Sequence, residues 1–573
     1  DGKAQVHAIR PDGGEAQTLS THDASIGNHA WSPDGRAIAF TATEGDDPKE
    51  KSRKEAYGDF SVVRRDYRHA QFWTLDVADA LRSPVKGRQR TRGTDRHVQG
   101  FDISPDGTRV AFAATRTPDL VDGATADIYL LDLATDTVRP LVAQAGPDSN
   151  PAWSPDGSRI AFQSAMGAPQ YFHANGRIAL VSAGGGLPVS ITDALDEDPQ
   201  LVAWTPTGLY ATALQKTSSH LFRLDPDTRT LTRVSSPDAL ILQMASFSAD
   251  GRTVAFVASS ATTLPEVHVT DAAAFAPRVL TTRSTRLRDW TLATREVISW
   301  KSQDGATIEG VLVKPRDFDP TRKYPLLCVI HGGPTGIDRP QAIDARYYPA
   351  DLWAARGALV LKVNYRGSAG YGQRFRQLNV RNLGVGDAWD VLSGIDALVA
   401  KGMVDPSRLG CMGWSQGGYI SAFLTTSTTR FKAISVGAGI SNWATYYYNT
   451  DITPFTIQYL GADPAADPEV YRKTSPMSYV MGATTPTLIQ HGEFDRRVPI
   501  ANAYELRQGL QDRGVPVEMI VYKGFGHGLT KPKAMRAAMQ HNLQWFNHHI
   551  FGDPAPDFTA APPKPAAAPP AQR

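Results

Sequence analysis

The sequence predicts an all-β propeller followed by a doubly wound α/β domain built on a parallel sheet. Three observations carry that prediction. A turn is repeated five times in the first half, the hydrophobic grammar changes near residue 290, and after it buried-type strands alternate with amphipathic helices. The 573 residues, 41% hydrophobic and 21% charged, suffice for large cores. Sixty Lys and Arg against 58 Asp and Glu leave a net charge of +2. That balance gives no electrostatic reason to expect a nucleic acid or membrane partner. No apolar run approaches the roughly 18 residues of a membrane span. The two cysteines, Cys328 and Cys411, lie in apolar strand-like runs. They read as buried small hydrophobes and exclude a disulfide scaffold or a thiolate metal cluster.

The repeat is explicit. Trp31-Ser-Pro-Asp-Gly35, Ile103-Ser-Pro-Asp-Gly107 and Trp153-Ser-Pro-Asp-Gly157 each precede alternating apolar residues, with weaker copies at Trp204–Gly208 and Phe247–Gly251. Each ends in a glycine that can turn one strand back on the next. The Ser or Thr positions 32, 104, 154, 205 and 248 are spaced 72, 50, 51 and 43 residues apart, the spacing of propeller blades. The long first interval holds an insertion, Thr43 to His69, so dense in charge that it reads as a solvated loop. Gln5–Arg10 followed by Pro11-Asp-Gly-Gly14 reads as outer strands of a blade, with the expectation that residues preceding Asp1 complete it.

The propeller is expected over residues 1–288, the α/β domain over 289–552, and a Pro/Ala-rich disordered tail over 553–573. The second half opens with a hairpin, Glu296 to Lys314, turning at Asp304-Gly305. Strands follow at Leu326–Ile330, Ala358–Val363, Leu409–Gly413, Thr487–Gln490 and Val517–Tyr522. Between them Val391, Leu392, Ile395, Leu398 and Val399 form one apolar helix face. Strand and helix alternating in this way imply a parallel sheet covered by helices.

Gly413-Trp-Ser-Gln-Gly-Gly418 follows one of these strands and opens a helix. A serine on so sharp a turn presents its hydroxyl as a nucleophile, the signature of an α/β-hydrolase fold. A hydroxyl needs a base, and the base an orienting acid, which in this fold follow in the order Ser, acid, His. Asp495 and His527 lie just after the last two strands and supply both roles. Glu493 is a rival acid; His331 and His491 are rival bases, His331 reading better as a structural residue of its loop. His541, His548 and His549 fall on a C-terminal helix and read as surface residues. The oxyanion donors are expected to be the backbone N–H of Gln416 and that of Gly333, in His331-Gly-Gly-Pro334. With no metal-protease, phosphate-loop or dinucleotide motif in the required context, the chemistry reads as cofactor-free acyl transfer to water.

With those residues in view, the chain resembles the prolyl oligopeptidase family of serine peptidases, in its acylaminoacyl-peptidase and dipeptidyl-peptidase-like branches. The likeness runs through both halves: the Ser-Pro-Asp-Gly repeats, His331–Pro334, Asn364-Tyr-Arg-Gly-Ser-Ala-Gly-Tyr-Gly372, Gly413–Gly418, Asp495-Arg-Arg-Val-Pro499 and Gly526-His-Gly528. It implies a Ser415/Asp495/His527 triad, short peptide substrates, a propeller that caps the active site, and no cofactor. It implies too that Arg497 holds a substrate carbonyl, while Val498, Trp443 and Tyr446 form the pocket for the residue before the cut. The run Trp443–Tyr448 fits core packing as well. Two departures stand out. Gln416 replaces the Tyr common after the nucleophile, and no clear paired-glutamate motif for a free amino terminus is found. A carboxylesterase using the same triad and a non-catalytic propeller interaction protein are the alternatives. A homo-oligomer is left open, and a periplasmic or secreted location is favoured over a cytoplasmic one.

Overall fold

The computed structural model describes residues 2–45, 47–343 and 346–560. Of the expected tail, 561–573 lies outside the described residues. The chain divides into two compact units.

The first unit takes the chain up to Asp289, together with 367–381 and 451–463. Its described residues form five four-stranded antiparallel sheets and one two-stranded pair, His7–Ala8 with Gln17–Thr18. The repeated turn joins the first two strands of each four-stranded sheet, as Ile26–Trp31 is joined to Ala37–Thr43. Its chemistry is local. The Ser32 hydroxyl donates to Asp34 Oδ1 at 2.6 Å and accepts the Ala37 N–H at 2.9 Å. Ser104, Ser154 and Ser248 repeat both bonds. Gly35, Gly107, Gly157 and Gly251 sit at φ between 68° and 71°, the left-handed region that glycine reaches without strain. The fourth copy lacks the aspartate, and Thr205 and Thr207 hydrogen-bond to each other instead.

The cores lie between successive sheets. On Arg109–Thr115, Val110, Phe112 and Ala114 pack with Ala39 and Phe72 of the preceding sheet. Ala111 and Ala113 pack with Trp153, Ile160 and Phe162 of the following one. The same division recurs at Arg159–Ser164, where Ile160 and Phe162 face back and Ala161 faces forward to Leu201 and Leu209. Strands buried on both faces by neighbouring sheets are the signature of a propeller, and the domain expected from the repeat is present.

The charged insertion is a correction. It contains a helix, Pro48–Tyr57, where a loop was expected. Asp47 caps it by accepting the Lys49 N–H, Pro48 opens its first turn, and none of its residues is buried. Arg53–Asp66 and Arg68–Glu50 ion pairs tie it to the rest of the insertion. A helix with no apolar face carries no hydrophobic period, so only its caps announced it.

The second unit holds one eight-stranded sheet. Its strands are β1 (Thr294–Lys301), β2 (Thr307–Lys314), β3 (Tyr324–Ile330), β4 (Leu359–Asn364), β5 (Val404–Trp414), β6 (Ala433–Gly437), β7 (Thr487–Gly492) and β8 (Val517–Tyr522). They lie in the order β1-β2-β4-β3-β5-β6-β7-β8. The β1/β2 and β2/β4 pairs are antiparallel and all others parallel. Cys328 and Cys411 are register partners on β3 and β5, both buried and reduced. One face packs Val311, Leu327, Val360 and Leu488 against Trp353, Trp545 and Phe546 of the covering helices. The chain moves from β3 outward to β4 and then returns to the other side of β3 for β5. Strand order therefore reverses at β3, and the loops after β3 and β5 splay apart there, leaving a crevice for a ligand.

Candidate active site

Ser415 stands at that crevice, between β5 and the helix Gln416–Ser427, with φ 62° and ψ −121°. A residue with a side chain holds this conformation only where its surroundings enforce it. Its N–H donates to Gly437 O at 2.9 Å, and its carbonyl accepts from Tyr419 N–H at 2.8 Å. The glycine spacing follows from the crowding. A Cβ at Gly417 would lie 2.0 Å from Ile330 O, and one at Gly413 2.4 Å from the Gly417 carbonyl carbon.

β7 delivers Asp495 and β8 delivers His527. His527 Nε2 lies 2.8 Å from Ser415 Oγ, and His527 Nδ1 lies 2.8 Å from Asp495 Oδ2. A hydroxyl donating to Nε2 and an Nδ1–H donating to the carboxylate fit this geometry together. Asp495 is 5% exposed. Its Oδ1 accepts the N–H groups of Arg497 and Val498 at 3.0 and 2.9 Å. Burial opposes its charge, but hydrogen bonds from His491 and His527 outweigh burial and hold the carboxyl down to about 2.

The rivals are placed elsewhere. Glu493 accepts the Gly524 N–H at 2.8 Å and pairs with Lys523, so its carboxylate is spent on the loop that carries His527. His331 stacks on Tyr365 with ring centroids 4.5 Å apart, and its Nδ1 lies 2.8 Å from Gly332 O. His491 is fully buried, its Nε2 2.7 Å from Val498 O and 3.4 Å from Asp495 Oδ2. It touches Asp495, and the imidazole that meets Ser415 is that of His527.

Gln416 opens its helix, and the first four N–H groups of a helix have no acceptor within it. Gly332 lies against Ser415, since a Cβ there would meet Ser415 Cβ at 3.3 Å. Gly333 has φ +143°, and a Cβ on it would lie 2.5 Å from the nitrogens of Thr335 and Gly336. Of the residues expected to line a pocket, Val498 is buried beside Asp495. Trp443 is fully buried, edge-on to Tyr419 and Tyr446 at 5.0 and 5.1 Å. The Arg497 carbonyl accepts from the Thr450 hydroxyl. Among the described residues no group of three or more His, Cys, Asp or Glu side chains is disposed to hold a metal ion.

Residues 346–552 match the prolyl oligopeptidase family. The matched segment carries Ser415, Asp495 and His527. This chain is a serine peptidase. It is similar to the uncharacterised peptidase YuxL of Bacillus subtilis, 26% identical over 582 residues that span 96% of this chain and 87% of that protein. It is also similar to dipeptidyl-peptidase 5 of Porphyromonas gingivalis, 24% identical over 91% of this chain and 78% of that protein. In fold it matches the Pyrococcus horikoshii acylaminoacyl peptidase, with a TM-score of 0.79 at 21% identity over 96% of this chain and 86% of that one.

The site is held in part by residues to which the motifs gave no role. The Trp414 indole N–H donates to His527 O at 2.9 Å. Tyr347 packs on Trp414 with centroids 4.5 Å apart, and its hydroxyl accepts the Leu529 N–H. The histidine loop is thereby tied at His527 and two residues beyond it. Only the aromatic content near these positions hinted at them. The C-terminal histidines are a second correction. His541, His548 and His549 are half-buried, His541 Nδ1 lying 3.0 Å from Tyr522 Oη and the His549 ring packing on Trp545. The helix covers the sheet, so even its histidine positions meet apolar neighbours.

Proposed function

We propose that this peptidase hydrolyses short peptides through a Ser415–His527–Asp495 triad and an acyl-enzyme, with the propeller restricting access. The unbroken chain of two 2.8 Å hydrogen bonds from Ser415 Oγ through His527 to Asp495 carries the reading. As Ser415 Oγ attacks the substrate carbonyl, His527 Nε2 takes its proton, and the ionised Asp495 stabilises the resulting imidazolium. The oxyanion is met by the N–H groups of Gln416 and Gly333, each such donor worth about 10²–10³ in rate. His527 then protonates the departing amine, and a water molecule repeats the sequence on the ester.

Arg497, Val498, Trp443 and Tyr446 are assigned to the substrate side in this reading, Arg497 to a peptide carbonyl. The test pairs Ser415→Ala with active-site labelling. The wild type should react with an organophosphonate at Ser415 and cleave short peptides; the alanine variant should do neither while keeping its melting temperature. Retained peptide cleavage in Ser415→Ala would sink the assignment. Rapid internal cutting of a large folded protein would sink the access filter alone.

A further inference from the structure

The proposed chemistry leaves one buried imidazole beside the acid without a task. His491 lies on β7, a strand bonded to β6 on one side and to β8 on the other, and its side chain is fully buried. Its Nε2 stands 2.7 Å from Val498 O. A carbonyl oxygen can only accept, so the ring carries its proton on Nε2. The same nitrogen lies 3.4 Å from Asp495 Oδ2, the oxygen that meets His527 Nδ1. The N–H is given chiefly to the carbonyl, and the carboxylate takes a weaker share.

Nδ1, the other ring nitrogen, is buried with no hydrogen-bond partner among the described residues. An unmet polar atom in a core costs stability, and a leucine in this place would avoid that cost. The imidazole is therefore explained by what Nε2 holds, which is the turn that carries the acid. Asp495 Oδ1 accepts the N–H groups of Arg497 and Val498, two and three residues further on. Those bonds lie within the turn and travel with it, so they do not fix it against the sheet. The bond from His491 does, because it joins the far end of the turn, Val498, to an interior strand.

We propose that His491 is the positioning residue of the acid, anchoring the turn from Asp495 to Val498 so that Asp495 Oδ2 stays on His527 Nδ1. The inference rests on Asp495 being the acid of the triad. Its effect on the reaction passes through that carboxylate. Without the ring the turn is free to shift at the end of β7, and a displacement of about 1 Å in a catalytic group costs about 100-fold in rate. Loss of the N–H therefore slows Ser415 as far as Asp495 drifts, and matters little once the carboxylate itself is gone.

The experiment uses the full chain and the rate of organophosphonate labelling at Ser415, the adduct being followed by mass spectrometry for as long as days. His491→Leu and His491→Phe remove the N–H at two side-chain volumes and should each label about 10–100-fold more slowly than the wild type. His491→Gln, whose amide can donate to the same carbonyl, should label within about fivefold of it. In an Asp495→Asn background the two apolar changes should cost about threefold at most. Equal losses in the two backgrounds overturn the proposal, since the histidine would then serve the fold and not the acid. Apolar variants within about threefold of the wild type overturn it too, as does a glutamine variant as slow as they are. Loss of near-ultraviolet circular dichroism in both apolar variants does the same. No label on Ser415, or Asp495→Asn labelling as fast as the wild type, overturns the triad reading and this one with it. Equal losses beside a slow Asp495→Asn overturn the positioning role alone.

Discussion

Replacing Asp495 by Asn tests the triad more sharply than deleting the nucleophile, because the surroundings dictate how the amide must sit. Asp495 Oδ1 accepts two backbone N–H groups, from Arg497 and Val498. An asparagine can satisfy both only with its oxygen in that position, which turns its NH₂ toward His527 Nδ1. The imidazole must then accept at Nδ1 and carry its proton on Nε2, facing Ser415 Oγ as a donor instead of a base. Two losses add. An ion pair with charge centres roughly 4 Å apart is worth about 4 kcal/mol at an effective dielectric constant near 20, and the variant cannot stabilise the imidazolium that way. Restoring the productive tautomer costs about 1.5–3 kcal/mol more, the worth of a hydrogen bond to a charged group. Together these predict a fall in kcat of about 10⁴–10⁵-fold. Turnover of a short peptide and the rate of organophosphonate labelling should fall together, with near-ultraviolet circular dichroism unchanged. A variant within tenfold of the wild type on both measures would refute the role of Asp495.

Further outcomes follow from the same contacts. Against burial, hydrogen bonds from His491 and His527 hold Asp495 down to about 2 in the folded chain against 3.8 for a free carboxyl, so its charge contributes about 2 kcal/mol above pH 4, lost as the pH falls from 4 through 2. Asp495→Asn should flatten that acid limb in an acid-unfolding titration. Gly417→Ala would force a contact of 2.0 Å with Ile330 O to relax by more than 1 Å, displacing both Ser415 and the Gln416 N–H. Activity should drop at least 100-fold, and labelling as fast as in the wild type would show that the turn tolerates a side chain. Asp387 is pushed up to about 7 by burial, with one carboxylate oxygen unpartnered. The stability it contributes is present below its unfolded value and is lost as the pH rises through 7. Asp387→Asn should therefore melt higher than the wild type at pH 9 and much closer to it at pH 5, and identical curves at both would remove the effect.

The parts legible in the sequence share one property, that a few adjacent residues carry the whole signal. The Ser-Pro-Asp-Gly turn closes on itself, and the nucleophile turn needs glycines at 413 and 417 because backbone crowds it on both sides. Asp495 and His527 could be placed because each follows a strand directly. What escaped depends on partners distant in sequence. The helix at Pro48–Tyr57 is held by ion pairs and caps. The strand Ala433–Gly437 is five residues long and easily passed over beside the helix that precedes it. Trp414, Tyr347 and His491 gain their roles from contacts with the His527 and Asp495 loops, which no local pattern announces. Asp338 and Lys362 are ordinary charged residues until β4 and the loop after β3 bring them together.

The locality of the propeller turns bears on the order in which the chain folds. Each serine bonds an aspartate two residues away and an N–H five residues away, so a hairpin can close its own loop with almost no chain entropy to overcome. Such hairpins form on a scale of about 1–10 μs. The catalytic sheet has no comparable shortcut. Leu326 on β3 must find Leu409 on β5 across an intervening strand and three helices among the described residues, and Ser415 is set only after β3 and β6 flank its strand. Newly made chain should therefore acquire paired propeller strands well before the Ser415 turn is set, so the catalytic role proposed for Ser415 stays latent until its sheet is closed.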